Sequence, residues 1–581
     1  SPPHTRNGPA DRSAPGPAAH RVWLPPLDLP PALGDLLGGV RLDPDAGLRA
    51  AGPGWDGGLR APVGVLDLPF EQRRDPLVAD LSGAAGNVAV IGGPQSGKST
   101  LVRTLICALA LTHTPRRIQF YALDFGGGAL ATLDGLPHVG SIATRREADL
   151  VRRTVSELRA LLETRERTFA EAGIDSIASY RAGRRYDATD PDPHGDVLLV
   201  VDGWGVLRSE FEALEPAVLD LATRGLAYGI HVLIAANRWT ELRAPLRDVL
   251  GTRFELRLGD AFESEVNRAL AGNVPADRPG RGVVAPGLHF LAALPRTDGR
   301  SDAATVADGV RDLVQTVQAA WPGPPAPPVR LLPDLVEYPA VAAALPAVPG
   351  GPIPLGLAEQ DLGPASVDFS SEQHFIVFGE TEAGKSSVLR ALMLGLTERR
   401  ERREALFVTV DYRRSLLGAV PADRIIGAAH SAATADSVIA DVREALRSRL
   451  PGPDVDPSTL RDRGWWSGPD LYLVVDDYDL VVTPTGNPLL PLADLLAQSR
   501  DVGLHVLVAR ASGGAGRALY EPFLQRLREL GAGGLVLSGA AEEGPLLGDI
   551  APVKFPPGRG VLYSRRHGSR RIQAGFAPEG V

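Results

Sequence analysis

The chain has 581 residues, a net charge of −9, a pI near 5.7, and 61 basic residues of which three are lysines. That length supports two large domains plus linkers, and the acidic balance supplies no overall positive field for nucleic acid. The single cysteine, Cys107, excludes a disulfide scaffold and fits a reducing cytosol, and no apolar run approaches the ~18 residues of a spanning helix.

Residues 1–20 are rich in Pro, Ala and Arg, lack an apolar signal-peptide core, and predict a disordered tail. Residues 21–60 read as a Leu/Pro-rich segment, carrying VWLPPLDLP at 22–30. A first domain is predicted over 61–321. Its run at 87–91, NVAVI, reads as a buried strand, and the apolar stretch from Thr100 reads as a helix. Between them lie Gly92, Gly93, Pro94, Gln95, Ser96, Gly97, Lys98, Ser99 and Thr100, a full match to G-x-x-x-x-G-K-[ST]. Glycines let such a loop curl its N–H groups around phosphate oxygens. The lysine reaches the outer phosphates, the serine hydroxyl ligates Mg²⁺, and the helix N-terminus faces the same anion. ATP with Mg²⁺ is the expected ligand, and Cys107 is expected in the helix core.

Further along, an apolar strand ends in Asp202, where an acid at the carboxyl end of a parallel strand would hold or place Mg²⁺, together with Ser99. Asn237 follows another apolar strand and is a candidate sensor of the terminal phosphate. Arg253 and Arg257 are candidate fingers toward a neighbouring subunit, and Arg281, in Gly-Arg-Gly, is either a base-lining residue or an exposed turn residue. Residues 322–350 form a Pro-rich linker. It is either a tether or, like 22–30, an extended peptide seated in a groove of a P-loop domain.

The second domain, 351–581, repeats the first. Gly379, Glu380, Thr381, Glu382, Ala383, Gly384, Lys385, Ser386 and Ser387 form a second full loop, again between a strand and a helix. Asp411 lies as far beyond Lys385 as Asp124 lies beyond Lys98. Asp476 ends an apolar strand as Asp202 does, making Ser386 and Asp476 the second metal pair, and Arg559 repeats Arg281 in Gly-Arg-Gly. The period of roughly 280 residues is far too long for a solenoid. The expected fold is α/β: two tandem P-loop NTPase domains of RecA/FtsK type, with mainly parallel sheets flanked by helices. Lys554 matches no motif. Trp465 and Trp466, before the second acidic strand, suit either an exposed aromatic patch or the core.

These loops and acidic strands resemble the FtsK/SpoIIIE branch of P-loop ATPases. The VWLPPL start, the VVDGW segment at 200–204 and the tandem arrangement resemble, more closely, the C-terminal ATPase pair of EccC, the motor of type VII secretion. The resemblance implies a cytoplasmic module at the inner face of the membrane, reached through a more N-terminal part, so that the chain is a fragment or a split subunit. It also implies capture of small helical WXG100-type substrates on the last domain and assembly into a homo-hexamer; the acidic charge balance, rather than the resemblance, leads to the expectation of no nucleic acid partner.

Binding and turnover need different residues. Active relatives follow the strand-end Asp with Glu. Here Asp202 is followed by Gly203, and Asp476 by Asp477, one methylene short of Glu. The second domain has Ala511 where the first has Asn237, and no arginine matching Arg253. The sequence therefore predicts nucleotide binding in both domains, with slow or absent hydrolysis in isolation. A DNA translocase and a pseudo-ATPase scaffold are the alternatives. The first requires a basic channel, whereas the densest basic run, at 398–404, alternates in sign.

Overall fold

The apolar run before each phosphate loop becomes the centre of a ten-stranded sheet. A computed structural model describes residues 24–55, 57–184, 192–462, 464–484 and 486–579. The expected disordered tail and the start of the first Leu/Pro segment, Val22 and Trp23 included, lie outside the described residues. The chain divides into two compact units, one running to Val329 and one from Arg330.

The first sheet contains β1 (Arg60–Leu68), β2 (Arg73–Asp80), β3 (Val88–Ile91), β4 (Ile118–Asp124), β5 (Val139–Thr144), β6 (Asp196–Asp202), β7 (Ile230–Ala236), β8 (Thr252–Leu256), β9 (Arg281–Val284) and β10 (Leu288–Ala292). They lie in the order β2-β1-β10-β9-β8-β3-β7-β6-β4-β5. From β8 to β5 every pairing is parallel, and from β8 to β2 every pairing is antiparallel. A separate hairpin pairs Val40–Asp43 with Gly47–Ala50.

The second unit contains β11 (Ile353–Ala358), β12 (Pro364–Val367), β13 (His374–Gly379), β14 (Ala405–Val410), β15 (Ile425–Ala429), β16 (Asp470–Val475), β17 (Leu504–Ala511), β18 (Gly533–Leu537), β19 (Arg559–Ser564) and β20 (Gly568–Ala574). Their order, β12-β11-β20-β19-β18-β13-β17-β16-β14-β15, is the first sheet strand for strand.

The parallel strands are covered on both faces, which is why they are apolar at every position rather than at alternate ones. In β3, Val88 and Val90 join the core that holds helix α1 (Lys98–Thr112), while Ala89 and Ile91 join the separate core that holds residues of α2 (Ala148–Ala172). From Leu101 to Thr112 every residue of α1 is buried: the strand Gly47–Ala50 and the turn Ala129–Leu133 pack on it as well as the sheet, and α3 (Val306–Ala320) packs on both of these, adding Val310, Leu313 and Val317 to the same core. A helix enclosed on all sides is apolar all round. Cys107 lies in this core, and burial pushes its thiol up to about 12. In the second unit α4 (Lys385–Arg399) takes the place of α1 and is likewise mostly buried.

Candidate functional site

Each phosphate loop ends in a glycine with left-handed backbone, Gly97 at φ 100° and Gly384 at φ 103°. A Cβ on Gly97 would come within 2.8 Å of the Gly280 nitrogen, so only glycine closes the loop there. At the crest, Gln95 and Glu382 also have positive φ, and their side chains are exposed. Neither α1 nor α4 has a side-chain cap, which leaves first-turn N–H groups for a ligand. Lys98 Nζ donates to the carbonyls of Gly92 and Gly93 at 2.7 and 2.8 Å, and Lys385 Nζ donates to Glu380 O at 3.1 Å. The buried Ser96 hydroxyl, inside the first loop, has no hydrogen-bond partner. An uncapped helix end, an ammonium beside it and an unpaired hydroxyl fit a polyphosphate.

The structure brings together the side chains that the sequence pairs as candidates for Mg²⁺. Ser99 Oγ donates to Asp202 Oδ2 at 2.7 Å, and Ser386 Oγ donates to Asp476 Oδ2 at 2.6 Å. Burial raises the pKa of both acids. Asp476 is pushed up to about 6, with the Ser386 hydrogen bond opposing and the charges of Asp477 and Asp411 adding to the rise. The neighbouring Asp124 and Asp411 accept loop N–H groups from Leu130 and Leu416, at 2.8 and 2.7 Å. A hydroxyl and a carboxylate at 2.6–2.7 Å are the oxygen donors that Mg²⁺ takes.

The residue after each acid is set by backbone geometry. Gly203 has φ 98° and Asp477 has φ 46°, both left-handed, which glycine tolerates best and Asp or Asn next best. The Asp477 carboxylate pairs with Arg413 at 3.0 Å, and Asn237 is exposed at the end of β7. Sequence reading missed Glu241. Its carboxylate approaches the Asn237 N–H at 3.4 Å, and its charge acts on Lys98, whose pKa burial lowers while Asp202 and Glu241 oppose. The available signal was an acid four residues beyond the sensor position, on the loop after β7.

The predicted arginines are all engaged inside their own units. Arg253 donates to Leu250 O and Arg247 O at 2.9 and 2.8 Å, pairs with Glu265, and lies over the Trp239 ring. Arg257 bonds the Val274 carbonyl. Arg281 donates to Leu27 O at 2.9 Å, and Arg559 donates to Leu332 O and Pro333 O at 3.0 Å each. The Gly-Arg-Gly turns therefore grip the Leu/Pro segments beside each loop. Leu27 and Leu332 are buried, and the segments pair onward through Ala32 with Leu294 and Glu337 with Phe576. Trp465 and Trp466 are half-buried, donating to Arg449 O and Asp501 O at 2.7 Å each. Lys554, which lies outside both loops, pairs with Glu380, an acid inside the second one.

Replacing Arg559 by alanine is expected to free two carbonyls of the second segment. Hydrogen bonds to charged donors contribute about 1.5–3 kcal/mol each. Hydrogen exchange at Tyr338 N–H, bonded to Phe576 O at 2.9 Å, should accelerate at least tenfold, and Arg559→Lys should not restore it. Unchanged exchange would show that the grip does not hold the segment.

The FtsK/SpoIIIE family model matches residues 59–298. The ESX secretion system protein EccC of Thermomonospora curvata is 53% identical over 563 residues, 97% of this chain and 42% of that protein. The ESX-1 protein EccCb1 of Mycolicibacterium smegmatis is 39% identical over 575 residues, covering 96% of this chain and 93% of that protein. The chain belongs to the EccC family of type VII secretion ATPases. A solved structure of Thermomonospora curvata EccC, ATPases 2 and 3 in complex with a signal sequence peptide, superposes with TM-score 0.91 at 52% identity, covering 96% of this chain and all of that one. The tandem P-loop fold expected from sequence is thus the EccC fold. The chain spans about two fifths of the first curated relatives it matches. Among the described residues no helix is long and apolar enough to cross a membrane.

Proposed function

We propose that this EccC-family chain binds MgATP in both units, hydrolyses it slowly in isolation, and captures a small helical WXG100-type secretion substrate on its second unit. The observation that carries the nucleotide part is the repeated combination of an uncapped helix end, a lysine and a hydroxyl–carboxylate pair. In this reading Lys98 and Lys385 neutralise the outer phosphates, and Ser99 with Asp202, and Ser386 with Asp476, hold Mg²⁺. The metal, when bound, withdraws charge from the phosphates. Slow turnover rests on Gly203, which has no side chain, and on Asp477, whose carboxylate is held by Arg413. Assembly into a ring at the membrane, through parts of the family's longer proteins, completes the proposal. Arg253 would serve as a finger only after leaving Glu265.

The capture reading is supported by a difference between the units. In the first, the outer edge is covered by the chain itself: Ala326 N–H donates to Pro137 O at 2.7 Å and Tyr121 Oη to Pro327 O at 2.8 Å. In the second, the corresponding surface carries Leu417 and Ile426, each 53% exposed. Exposed aliphatic side chains at such an edge suit the apolar face of an amphipathic helix. A fluorescent peptide with the C-terminal signal of a WXG100-type protein should bind saturably. Leu417→Asp with Ile426→Asp should weaken it about tenfold or more while leaving MgATP affinity unchanged. Absence of saturable binding up to about 1 mM, a free energy near 4 kcal/mol, would contradict substrate capture.

A further inference from the structure

Although Gly203 has no side chain and Asp477 is held by Arg413, a carboxylate stands at one matching point in both units. In the first sheet β7 lies between β3, which leads into the phosphate loop, and β6, which ends in Asp202. The end of β7 is tied to both neighbours: Gly92 N–H donates to Ala236 O and Gly203 N–H to Ala235 O, each at 3.1 Å. Side chains over that end face the space beyond the phosphate loop, at the carboxyl edge where ligands of parallel sheets sit. There the Asn237 N–H meets Glu241 Oε2 at 3.4 Å. In the second sheet β17 has the same place between β13 and β16, and the Ala511 N–H donates to Asp479 Oδ1 at 3.0 Å.

The two carboxylates come from different places in the chain. With Asp202 set on Asp476 and Asn237 on Ala511, Asp479 falls on Gly205 and Glu241 falls on Ala515. A Cβ on Gly205 would lie 3.3 Å from Glu241 Oε2, so the position that carries the acid in the second unit is bare beneath the acid of the first. Each unit thus has one acid for this point, on one of two alternative carriers. Among the described residues neither acid has an ion-pair partner, and the second oxygens, Glu241 Oε1 and Asp479 Oδ2, accept no hydrogen bond. Glu241 is also fixed from behind, its carbonyl accepting from Trp204 Nε1 at 3.2 Å and Arg208 Nη1 at 2.8 Å. Its charge acts on Lys98, the residue read as neutralising the outer phosphates.

We propose that Glu241 in the first unit and Asp479 in the second orient the attacking water at the terminal phosphate, in place of the acid missing after Asp202 and the acid held by Arg413 after Asp476. This rests on the nucleotide reading above and deepens it by naming the residues behind its slow turnover. The free carboxylate oxygen takes one proton of the water as the water oxygen bonds the terminal phosphorus. The bond from that phosphorus to the bridging oxygen breaks, ADP leaves with the electron pair, hydrogen phosphate forms, and the carboxyl returns its proton to solvent. Before reaction the same charge repels the terminal phosphate, a group that ADP lacks. The acid therefore lowers the preference for ATP over ADP while serving the chemical step.

The test uses the full chain carrying Lys385→Ala, which silences the second loop. MgATP and MgADP compete for a methylanthraniloyl-ADP probe, and phosphate release is followed in a single turnover. Glu241→Gln keeps an oxygen for the Asn237 N–H and removes the charge. It should tighten MgATP about threefold or more, leave MgADP within about twofold, and slow phosphate release by at least about tenfold. Glu241→Ala with Gly205→Asp copies the arrangement of the second unit and should bring both values back toward the parent. In the Lys98→Ala chain, Asp479→Asn should repeat the effects of Glu241→Gln. An unchanged ATP-to-ADP preference, or unchanged phosphate release, overturns the proposal, because a carboxylate that only ties down its loop would move neither. A parent chain that binds MgATP and releases no phosphate overturns it while leaving nucleotide binding intact. A chain that binds neither nucleotide overturns both readings.

Discussion

Replacing Lys385 by alanine is expected to remove MgATP binding from the second unit, and Lys98→Ala to remove it from the first. Each ammonium is held by loop carbonyls, at 3.1 Å for Lys385 and 2.7 and 2.8 Å for Lys98, with donor capacity left for phosphate oxygens. Charge-assisted hydrogen bonds of this kind contribute about 1.5–3 kcal/mol each. Loss of one or two corresponds to roughly a hundredfold in affinity. Arginine should not rescue either variant, because a planar fork does not fit a space shaped for a compact ammonium. Saturation at 100 Kd stabilises a domain by about 2.7 kcal/mol. In the parent that should raise the melting temperature by roughly 5–10 °C for domains of this size. Each variant should lose the shift in its own unit and keep it in the other. A Lys385→Ala chain that retains both shifts would remove the lysine from the site.

Asp476→Asn should make the metal-free protein more stable at pH 7.5. Burial, with Asp477 and Asp411 close by, pushes the Asp476 pKa up to about 6, above the ordinary aspartate value of 3.8 that applies when the chain is unfolded. Between about pH 4 and 6 the folded state keeps a proton that the unfolded chain has released. This group's contribution to stability is therefore full below about pH 4, falls as pH rises toward 6, and stays low above it. Asparagine carries no charge to desolvate; its side-chain oxygen can accept from the Asp477 N–H, as Asp476 Oδ1 does at 3.0 Å, while its NH2 donates to the Ser386 hydroxyl. The gain at pH 7.5 should be on the order of 1–2 kcal/mol, vanishing below about pH 4. Thermal unfolding with chelator at pH 4, 6 and 7.5 checks the sign. The same carboxylate strengthens Mg²⁺ binding, so saturating MgATP should reverse the order of the two proteins. A variant less stable than the parent at pH 7.5 without metal would show that the buried charge is compensated. Destabilisation of an acid kept for its ligand is the usual cost of a binding site.

Both phosphate loops were legible because their signal is local: strand, Gly-rich turn, lysine and helix follow one another within a short stretch. The parallel sheets were legible too, since burial on both faces makes a strand apolar at every position. What sequence reading did not reach lies in pairs far apart in the chain. Arg281 with Leu27, Arg559 with Leu332, and Lys554 with Glu380 are joined only by the fold. The missing acid after Asp202 looked purely like a lost catalytic group. The left-handed backbone at Gly203 and Asp477 adds a conformational reason for those residue types. Helix α1 gave little amphipathic pattern because segments far from it in the chain, the strand Gly47–Ala50 and the turn Ala129–Leu133, pack on it as well as the sheet.

The most direct test of the central claim, that nucleotide is held rather than consumed, is the steady-state release of phosphate by the full chain under saturating MgATP. The account predicts turnover well below ~1 s⁻¹, the low end of ordinary enzyme rates. Turnover at or above that rate by the isolated chain, abolished by Lys98→Ala or Lys385→Ala, would contradict it.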